Sequence, residues 1–526
     1  MPLDLTVPGQ LTLALLPDLT LMGGAMLLLL LAAWRPASDR HQRTVGYASM
    51  ALLLLTLGLV AYFAWRDFTA TGAAGVIALD GFRWVCDGIL LLGALLTTAL
   101  AIEYQSRERI VAPESHVLVL LATSGMMLLA GARDFAVVFL GIELMSVSVY
   151  VLTGLNRRSA RSAEGALKYF LLGAFSTAFL LYGIALVYGA TGATAYPAIA
   201  ARLAEPAVLT SPLLKVGLAL LVVGFGFKVA AAPFHMWAPD VYEGAPTPHT
   251  GFMAASVKAA AFAAFLRLFV EAFPAAITQW HMALWWLAAI TMVVGNITAL
   301  AQRNLKRLLA YSSIAHAGYL LIAVVVGTGL GPDTGVTGSS AFLFYAFAYT
   351  LATMGAFAVV SGLGTAGERR MDVEEYSGLW TVRPGLTLAM SVYMLALLGF
   401  PVFGGVGFFA KWYMLQAALR GGPAPQTYLA VVLVLTSVLS AGYYLYVVMV
   451  MFMRPRAADA PALPQLGGLT NGVIFVTVAS ILILGFAPSQ VLLQARRSAL
   501  RPVVPATQLA PAAGATGEPA AALIAR

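Results

Sequence analysis

Charged residues are scarce in this chain. Its 31 basic and 23 acidic side chains make up 10% of the 526 residues, whereas 60% are hydrophobic and the mean hydropathy is +0.85. Soluble globular domains are about 25% charged and roughly 45–50% apolar. A water-soluble fold could not bury this much apolar surface, so the composition predicts an integral membrane protein.

Cysteine is nearly absent as well. The single Cys86 excludes a disulfide within the chain and cannot form a metal cluster alone. No zinc-binding spacing, haem-ligating histidine pair, glycine-rich phosphate loop or Ser-His-Asp arrangement stands out, so we expect no metal or cofactor in this chain. The net charge of +8 is spread over short runs rather than one patch, which argues against a nucleic-acid partner. Asp4, rather than a basic segment, precedes the first apolar run, so no cleavable signal peptide is expected.

Long apolar runs are abundant. A helix needs about 20 mostly apolar residues to cross a bilayer, and fourteen such runs predict an all-α integral membrane fold with about 14 transmembrane helices. The twelfth run is too long for one straight crossing and is interpreted as one span broken in its middle; two tight passes are the alternative. The runs are 11–33, 44–65, 85–103, 115–132, 135–155, 165–190, 213–237, 248–270, 281–301, 307–328, 340–362, 384–418, 427–452 and 471–493.

Arginine and lysine are divided unevenly between alternate loops. One set of loops carries sixteen of them, and the opposite set carries seven, including Arg83 and Arg267. The richer set is expected in the cytoplasm. Both termini are therefore predicted on the opposite side.

Five ionisable groups lie well inside apolar runs: Glu143, Lys228, Lys258, His316 and Lys411. Each charge near the centre of a bilayer costs roughly 2.5–3.5 kcal/mol on insertion scales. Lysine suits a proton path better than arginine does, because arginine stays protonated in proteins whereas a buried lysine can give up its proton. An ion path is the favoured interpretation; a structural Lys–Glu pair that holds two helices together is the alternative.

Two of the runs carry helix breakers near a lysine. Pro233 follows Lys228, and Pro401 with Gly404 and Gly405 precedes Lys411. Such breaks are tolerated at membrane depth only where neighbours or water satisfy the freed backbone groups. A pair of broken spans in corresponding places indicates an inverted-repeat core, here two five-helix repeats formed by spans 4–8 and 9–13. The predicted divisions are an N-terminal three-helix segment (1–112), the two repeats (113–275 and 276–456), a last helix (457–500) and an Ala/Pro-rich tail, expected to be mobile (501–526).

Several motifs carry a resemblance to a known family. PFHMWAPDVYEGAPTP at 233–248, followed by FMAASVKAAAF, is similar to the antiporter-like membrane subunits of respiratory complex I. The form PDVYEGAPTP most resembles the subunit N family of bacterial NADH:quinone oxidoreductase. GIELMSVSVYVLTGLNRRS, LLAYSSIAHAGY and GGVGFFAKWYML agree, and the resemblance covers about residues 10–495.

The resemblance implies a function and a set of site residues. It implies a proton-translocating, non-redox subunit in a bacterial inner membrane, with both termini periplasmic and other complex I subunits and lipids as partners. NADH, FMN, iron-sulfur clusters and quinone would then belong to the partner subunits. Glu143, Lys228, Lys258, His316 and Lys411 match the family's proton-carrying polar axis. A cation/proton antiporter subunit of the Mrp type and a structural membrane anchor are the alternatives.

Overall fold

The chain is almost entirely helical. The computed structural model describes residues 2–4, 7–70, 75–327, 336–364, 367, 371–401, 405–420, 424–457 and 462–500. Its α-helices are α1 (Pro8–Ala14), α2 (Leu16–Trp34), α3 (Asp39–Trp65), α4 (Gly81–Glu108), α5 (Glu114–Gly131), α6 (Phe135–Thr153), α7 (Ala160–Thr191), α8 (Tyr196–Arg202), α9 (Pro206–Leu209), α10 (Pro212–Lys228), α11 (Ala238–Gly244), α12 (Thr247–Phe252), α13 (Lys258–Glu271), α14 (Ile277–Leu300), α15 (Leu305–Val326), α16 (Gly338–Leu363), α17 (Leu379–Val382), α18 (Pro384–Leu398), α19 (Gly405–Arg420), α20 (Thr427–Met453), α21 (Gly468–Phe486) and α22 (Pro488–Arg497). A π-helical turn (Met253–Val257) joins α12 to α13, 3-10 turns lie at Pro274–Ala276 and Val373–Tyr376, and β1 (Pro2–Leu3) pairs in parallel with β2 (Thr69–Ala70).

The helices match the predicted apolar runs. Twelve are long and apolar enough to cross a membrane, and the two other runs, 213–237 and 384–418, are the ones predicted to be broken. The halves of 384–418 are only 15 and 16 residues long, so they form one interrupted span rather than two passes. The all-α, many-span prediction is confirmed. The last run ends earlier than predicted, at Phe486, because Pro488 begins the separate helix α22.

One span lies at the centre of the bundle. Every residue from Thr247 to Glu271 is buried, and α15 and α16 are nearly as enclosed. In contrast, only 28–33% of the apolar stretches of α2, α3, α7, α20 and α21 is buried, as expected for helices that face lipid. The central helices carry Lys258 and His316, which are therefore shielded from lipid by protein.

Loops predicted to share one membrane face meet in the structure. Arg307, at the start of α15, forms ion pairs with Asp240 and Glu243 of α11, and Glu243 also pairs with Arg161 at the start of α7. We call this side the arginine-rich face.

Two arginines counted as outer-loop charges are buried inside helices instead. Arg83 of α4 and Arg267 of α13 have no exposed surface. Arg83 forms an ion pair with Asp18, and Arg267 donates to Asp80 and Glu271, each at 2.7 Å. Partner carboxylates make this burial possible, and the sequence does not show which helices bring them together.

The division at residues 112, 275, 456 and 500 and the pairing of two inverted repeats stay predictions. The tail at 501–526 and Gly404 lie outside the described residues.

Candidate functional site

The first broken span is interrupted before its proline. Helix α10 ends at Lys228, five residues ahead of Pro233, which lies in the non-helical connection to α11 after a cis Ala232–Pro233 bond. Protein groups satisfy part of this connection: the Ala232 N–H donates to Thr291 Oγ1 at 2.9 Å, and Trp237 Nε1 donates to the Phe227 carbonyl at 3.1 Å. The break was expected, but its position is set by packing and not by Pro233 alone.

Lys228 hydrogen-bonds to hydroxyl groups of α6. Its ammonium donates to Ser146 Oγ at 2.8 Å and to Tyr150 OH at 3.4 Å. Glu143 lies one helical turn before Ser146, so the three α6 side chains share one face. Within the described part of the chain no ion pair within 4.0 Å joins Glu143 to Lys228, and Glu143 Oε1 is buried without a hydrogen-bond partner. The predicted pair is therefore not in direct contact; the ammonium of Lys228 bonds instead to Ser146, on the same face of α6 as Glu143.

Lys258 follows the π-helical turn in the central span. Its Nζ donates to the Ser313 carbonyl at 2.6 Å and also to Ser313 Oγ. The side chain is 3% exposed. Because π-turns are rare and cluster at functional sites, the turn immediately before Lys258 is consistent with a functional role for this position.

His316 lies one helical turn beyond Ser313 on α15, inside a ring of tyrosines. Its Nδ1 is 2.7 Å from Tyr345 OH, and its Nε2 is 3.1 Å from Tyr444 OH. The Tyr349 ring lies 4.8 Å from the imidazole, centroid to centroid. Both ring nitrogens thus have a hydroxyl partner, so a proton could enter at one nitrogen and leave from the other.

Lys411 bridges the second break. It belongs to α19, but its Nζ donates to the carbonyl of Leu398, the last residue of α18, at 2.9 Å. The ammonium also lies 4.8 Å from the Tyr319 ring centroid. Pro401 lies in the non-helical link, and Gly405 begins α19, where a Cβ would lie 3.1 Å from Gly485 Cα. The glycine thus permits close packing against α21.

A small cavity lies between His316 and Lys411. Its volume is about 10 Å³, near the minimum for one water molecule, and its lining includes Tyr345, Tyr349 and Ala410. His316 and Lys411 therefore line one cavity, and Lys258 joins them through Ser313, one helical turn before His316 on α15, whereas Glu143 and Lys228 form a second group on α6 and α10. No hydrogen bond recorded among the described residues joins the two groups.

The sequence did not identify the hydroxyl groups that hydrogen-bond to the buried ionisable residues. Ser146, Ser313, Tyr345 and Tyr444 each hydrogen-bond to a predicted site residue. The available signal was helical spacing, which places two side chains three residues apart on the same face of a helix. Ser146 follows Glu143 by three residues, and His316 follows Ser313 by three. Tyrosine in apolar helices is too common to have singled out the other two.

Ion pairs hold the helix α11, which contains the PDVYEG motif, against neighbouring helices. Asp240 accepts hydrogen bonds from Lys168 Nζ and Arg307 Nη1, both at 2.7 Å. Burial raises the pKa of the Asp240 carboxyl, but these two cations more than offset that effect and hold the pKa below its usual value. The buried Lys306 Nζ donates to the carbonyl of Ala245, just after α11, at 2.6 Å. The motif therefore anchors the broken span to α7 and α15.

Comparisons with known proteins agree with this architecture. The family model described as "NADH:quinone oxidoreductase/Mrp antiporter, TM" matches residues 132–450. A NADH-quinone oxidoreductase subunit N of Gemmatimonas aurantiaca is 52% identical over 502 residues, which are 94% of this chain and 95% of that relative. A chain of respiratory complex I from Thermus thermophilus with bound aureothin is 37% identical with a TM-score of 0.74, covering 92% of this chain and 100% of that chain.

An Mrp complex from Dietzia sp. DQ12-45-1b contains a chain with the same fold. It has a TM-score of 0.79 over 93% of this chain and 97% of that chain, but its identity is only 20%. At that identity the likeness concerns the fold alone, whereas the subunit N relative matches more than half of the residues. This chain therefore belongs to the NADH-quinone oxidoreductase subunit N family, within the antiporter-like membrane proteins.

Proposed function

We propose that this chain is a proton-translocating membrane subunit of an NADH-quinone oxidoreductase. The carrying observation is the buried set of Lys258, His316 and Lys411 in the protein interior: Lys258 bonds to Ser313 of α15, His316 lies one turn further along α15, and a small cavity separates His316 from Lys411. A structural anchor would gain nothing from three such groups at a cost of several kcal/mol each. A proton path needs groups that accept and release protons within hydrogen-bonding reach of one another.

Each site residue has a role that follows from its charge and contacts. Glu143 stabilises the ammonium form of Lys228 through their mutual attraction, and movement of that negative charge would favour release of the proton. The proton would then pass by Lys258 and His316 toward Lys411. Lys411 provides the exit or the link to a neighbouring subunit. The direction of transfer follows the family resemblance.

The redox chemistry belongs to other subunits in this proposal. With Cys86 as its one cysteine and no sequence pattern typical of cofactor binding, the chain offers no cluster-binding set of ligands. NADH, FMN, iron-sulfur clusters and quinone would bind to partner subunits. The chain would lie in a bacterial inner membrane with its termini periplasmic, beside other antiporter-like subunits and lipids.

Substitution of Lys228 by Met in the assembled complex tests the proposal. Met keeps the length and apolar stem of the side chain but cannot carry a proton. We expect a loss of proton pumping at least several-fold larger than any loss of assembly. Redox turnover, pumping in proteoliposomes and subunit content are measured on the same preparation; normal pumping by the intact complex would refute the relay role. A complex that loses this chain but keeps its other subunits would instead favour a structural Lys–Glu pair.

A second candidate function is a cation/proton antiporter subunit of the Mrp type, which the shared fold favours. Purification of the native assembly decides between the two. Co-purification with quinone-reducing subunits supports the oxidoreductase assignment, and their consistent absence supports the antiporter.

A further inference from the structure

Two buried histidines outside the predicted axis have no hydrogen-bond partner in the part of the chain that the structure describes. His116, in the first turn of α5, and His249, in α12, are 0% and 1% exposed. All four of their ring nitrogens are unpaired within the described residues. The two rings lie close enough for a charge on one to affect the other. A neutral imidazole always carries one N–H donor, and leaving that donor unpaired inside a protein is unfavourable.

Other unpaired polar atoms surround His116. Its Nε2 would lie 3.1 Å from a Cβ at Gly46 of α3, next to the helical turn that carries Gln42. Gln42 Nε2 and Ser49 Oγ, both fully buried, also lack hydrogen-bond partners in the part of the chain described. Unpaired buried polar groups usually bind ordered water. We call these residues the histidine cluster, and we expect ordered water to satisfy their polar atoms.

This histidine cluster lies just inside the arginine-rich face. A cavity of about 230 Å³ opens there, lined by Ala112, by the carboxylates of Glu108 and Glu114, and by the arginines Arg109, Arg157 and Arg158. The backbone N–H of Ala112 donates to Gln42 Oε1 at 2.6 Å, so the cavity and the histidine cluster meet at Gln42.

Unpaired hydroxyls continue from the histidines toward the site. Ser256, in the π-helical turn, and Thr350 and Thr353, on α16, each have a buried oxygen without a partner among the described residues. A Cβ at Gly93 of α4 would lie 2.0 Å from Ser256 Oγ and 3.6 Å from Thr350 Cγ2, so these two side chains meet at Gly93. Two positions after Ser256 is Lys258.

The π-helical turn also reorients the central span. His249 and Lys258 are nine positions apart, so at roughly 100° per residue a regular α-helix would place them on opposite faces. A π-turn accommodates about one extra residue. The angle between the two side chains then falls to roughly 80°, which turns Lys258 toward the side that carries His249.

We propose that His116 and His249 form the proton-uptake route of this chain, connecting the solvent at the arginine-rich face to Lys258 through water held by Gln42, Ser256, Thr350 and Thr353. Protons enter at the cavity beside Glu114 and pass along water to the two imidazoles. They then pass along water and hydroxyls to Lys258. This inference rests on the proposed proton-translocating function and gives Lys258 a supply of protons from solvent in addition to the transfer from Lys228.

Water access is tested without any pumping assay. In the assembled complex, His249→Cys is exposed to a small, water-soluble methanethiosulfonate, and modification is quantified by peptide mass spectrometry. Ala260→Cys, in the fully buried α13, is the matched dry control. We expect modification at His249→Cys to be at least tenfold faster than at Ala260→Cys; equal, slow rates would overturn the proposal. If His249→Cys does not assemble, Ser49→Cys replaces it with the same two outcomes.

The proton-carrying role is tested with His249→Gln. Gln keeps a donor and an acceptor, so it can hold water, but it cannot carry a proton. We expect pumping to fall at least fivefold with the complex intact, while His281→Gln, at the start of α14 and outside this route, pumps normally. If His249→Gln pumps normally while Lys228→Met does not, the uptake route is wrong and the proposed function stands. If Lys228→Met pumps normally, the proposed function itself is wrong.

Discussion

Substitution of Gly244 by Ala should loosen the contact that fixes the PDVYEG helix. A Cβ at Gly244 would lie 2.4 Å from the carbonyl oxygen of Arg161 and 3.0 Å from its carbonyl carbon. Ordinary contacts of a Cβ begin near 3.4 Å, so α11 and the start of α7 must separate by about 1 Å. Both obstructing atoms are backbone, and rotation of a side chain cannot relieve the overlap. Overpacking of this kind costs about 1–3 kcal/mol.

The matched control is Gly189→Ala on α7. A Cβ there would meet its nearest atom, Leu213 Cδ1, at 3.8 Å, which is ordinary contact. Alanine is also favoured over glycine inside a helix by about 0.5–1 kcal/mol, so this variant should equal or exceed the parent in stability. The free energy of unfolding of the full chain is measured by denaturing-detergent titration in mixed micelles. A Gly244→Ala chain as stable as the Gly189→Ala chain would refute the reasoning.

Two further predictions concern buried polar contacts. Ser313→Ala removes one of the two oxygens that accept a hydrogen bond from Lys258. Because hydrogen bonds to charged groups contribute about 1.5–3 kcal/mol, coupled turnover should fall roughly tenfold. Ser312→Ala should have a smaller effect, and equal turnover rates of the two variants would contradict this prediction. Asp87 lies 3.4 Å from Arg83 Nε, and neither of its carboxylate oxygens accepts a hydrogen bond from a described residue. Asp87→Asn should therefore lower the free energy of unfolding by less than Asp18→Asn, which breaks the closest ion pair of the same cluster and should lower it by about 3–5 kcal/mol. Detergent titration of both variants checks the second prediction, and a larger loss for Asp87→Asn would refute it.

Hydropathy was sufficient for the spans because the bilayer sets their length. Twelve of the fourteen predicted runs correspond to long helices of the structure, and the other two are the broken ones. The position of the first break was not predictable in the same way. Pro233 limits where a helix can continue, but α10 already ends at Lys228, where the N–H groups of the connecting segment bond to Gly226 and Thr291 instead.

The hydrogen-bond partners of the site residues could not be predicted, because the sequence does not show which helices pack together. Mid-span charges were visible in the sequence, but the partners of Lys258 and Lys411, the Ser313 hydroxyl and the Leu398 carbonyl, depend on which helices pack together. His116 and His249 drew no attention because each lies near the end of an apolar run, where a histidine is unremarkable. Only the fold shows that both rings are buried and unpaired.

Each of the two broken spans associates a lysine with the C-terminal end of its first half-helix, but in a different way. Lys228 is in the last turn of α10, and Lys411 reaches back across its break to the final carbonyl of α18. Lys228 thus belongs to the C-terminal end of its first half-helix, and the Lys411 ammonium contacts that of the other. The negative pole of the helix dipole there stabilises a cation by about 0.3–1 kcal/mol, up to about 2 kcal/mol when buried. That gain offsets only part of the roughly 2.5–3.5 kcal/mol that a charge costs at this depth. Hydrogen bonds to Ser146 and Leu398 supply a contribution of similar size, so the proposed function requires only that each cation be stabilised marginally and respond to a change in a neighbouring charge.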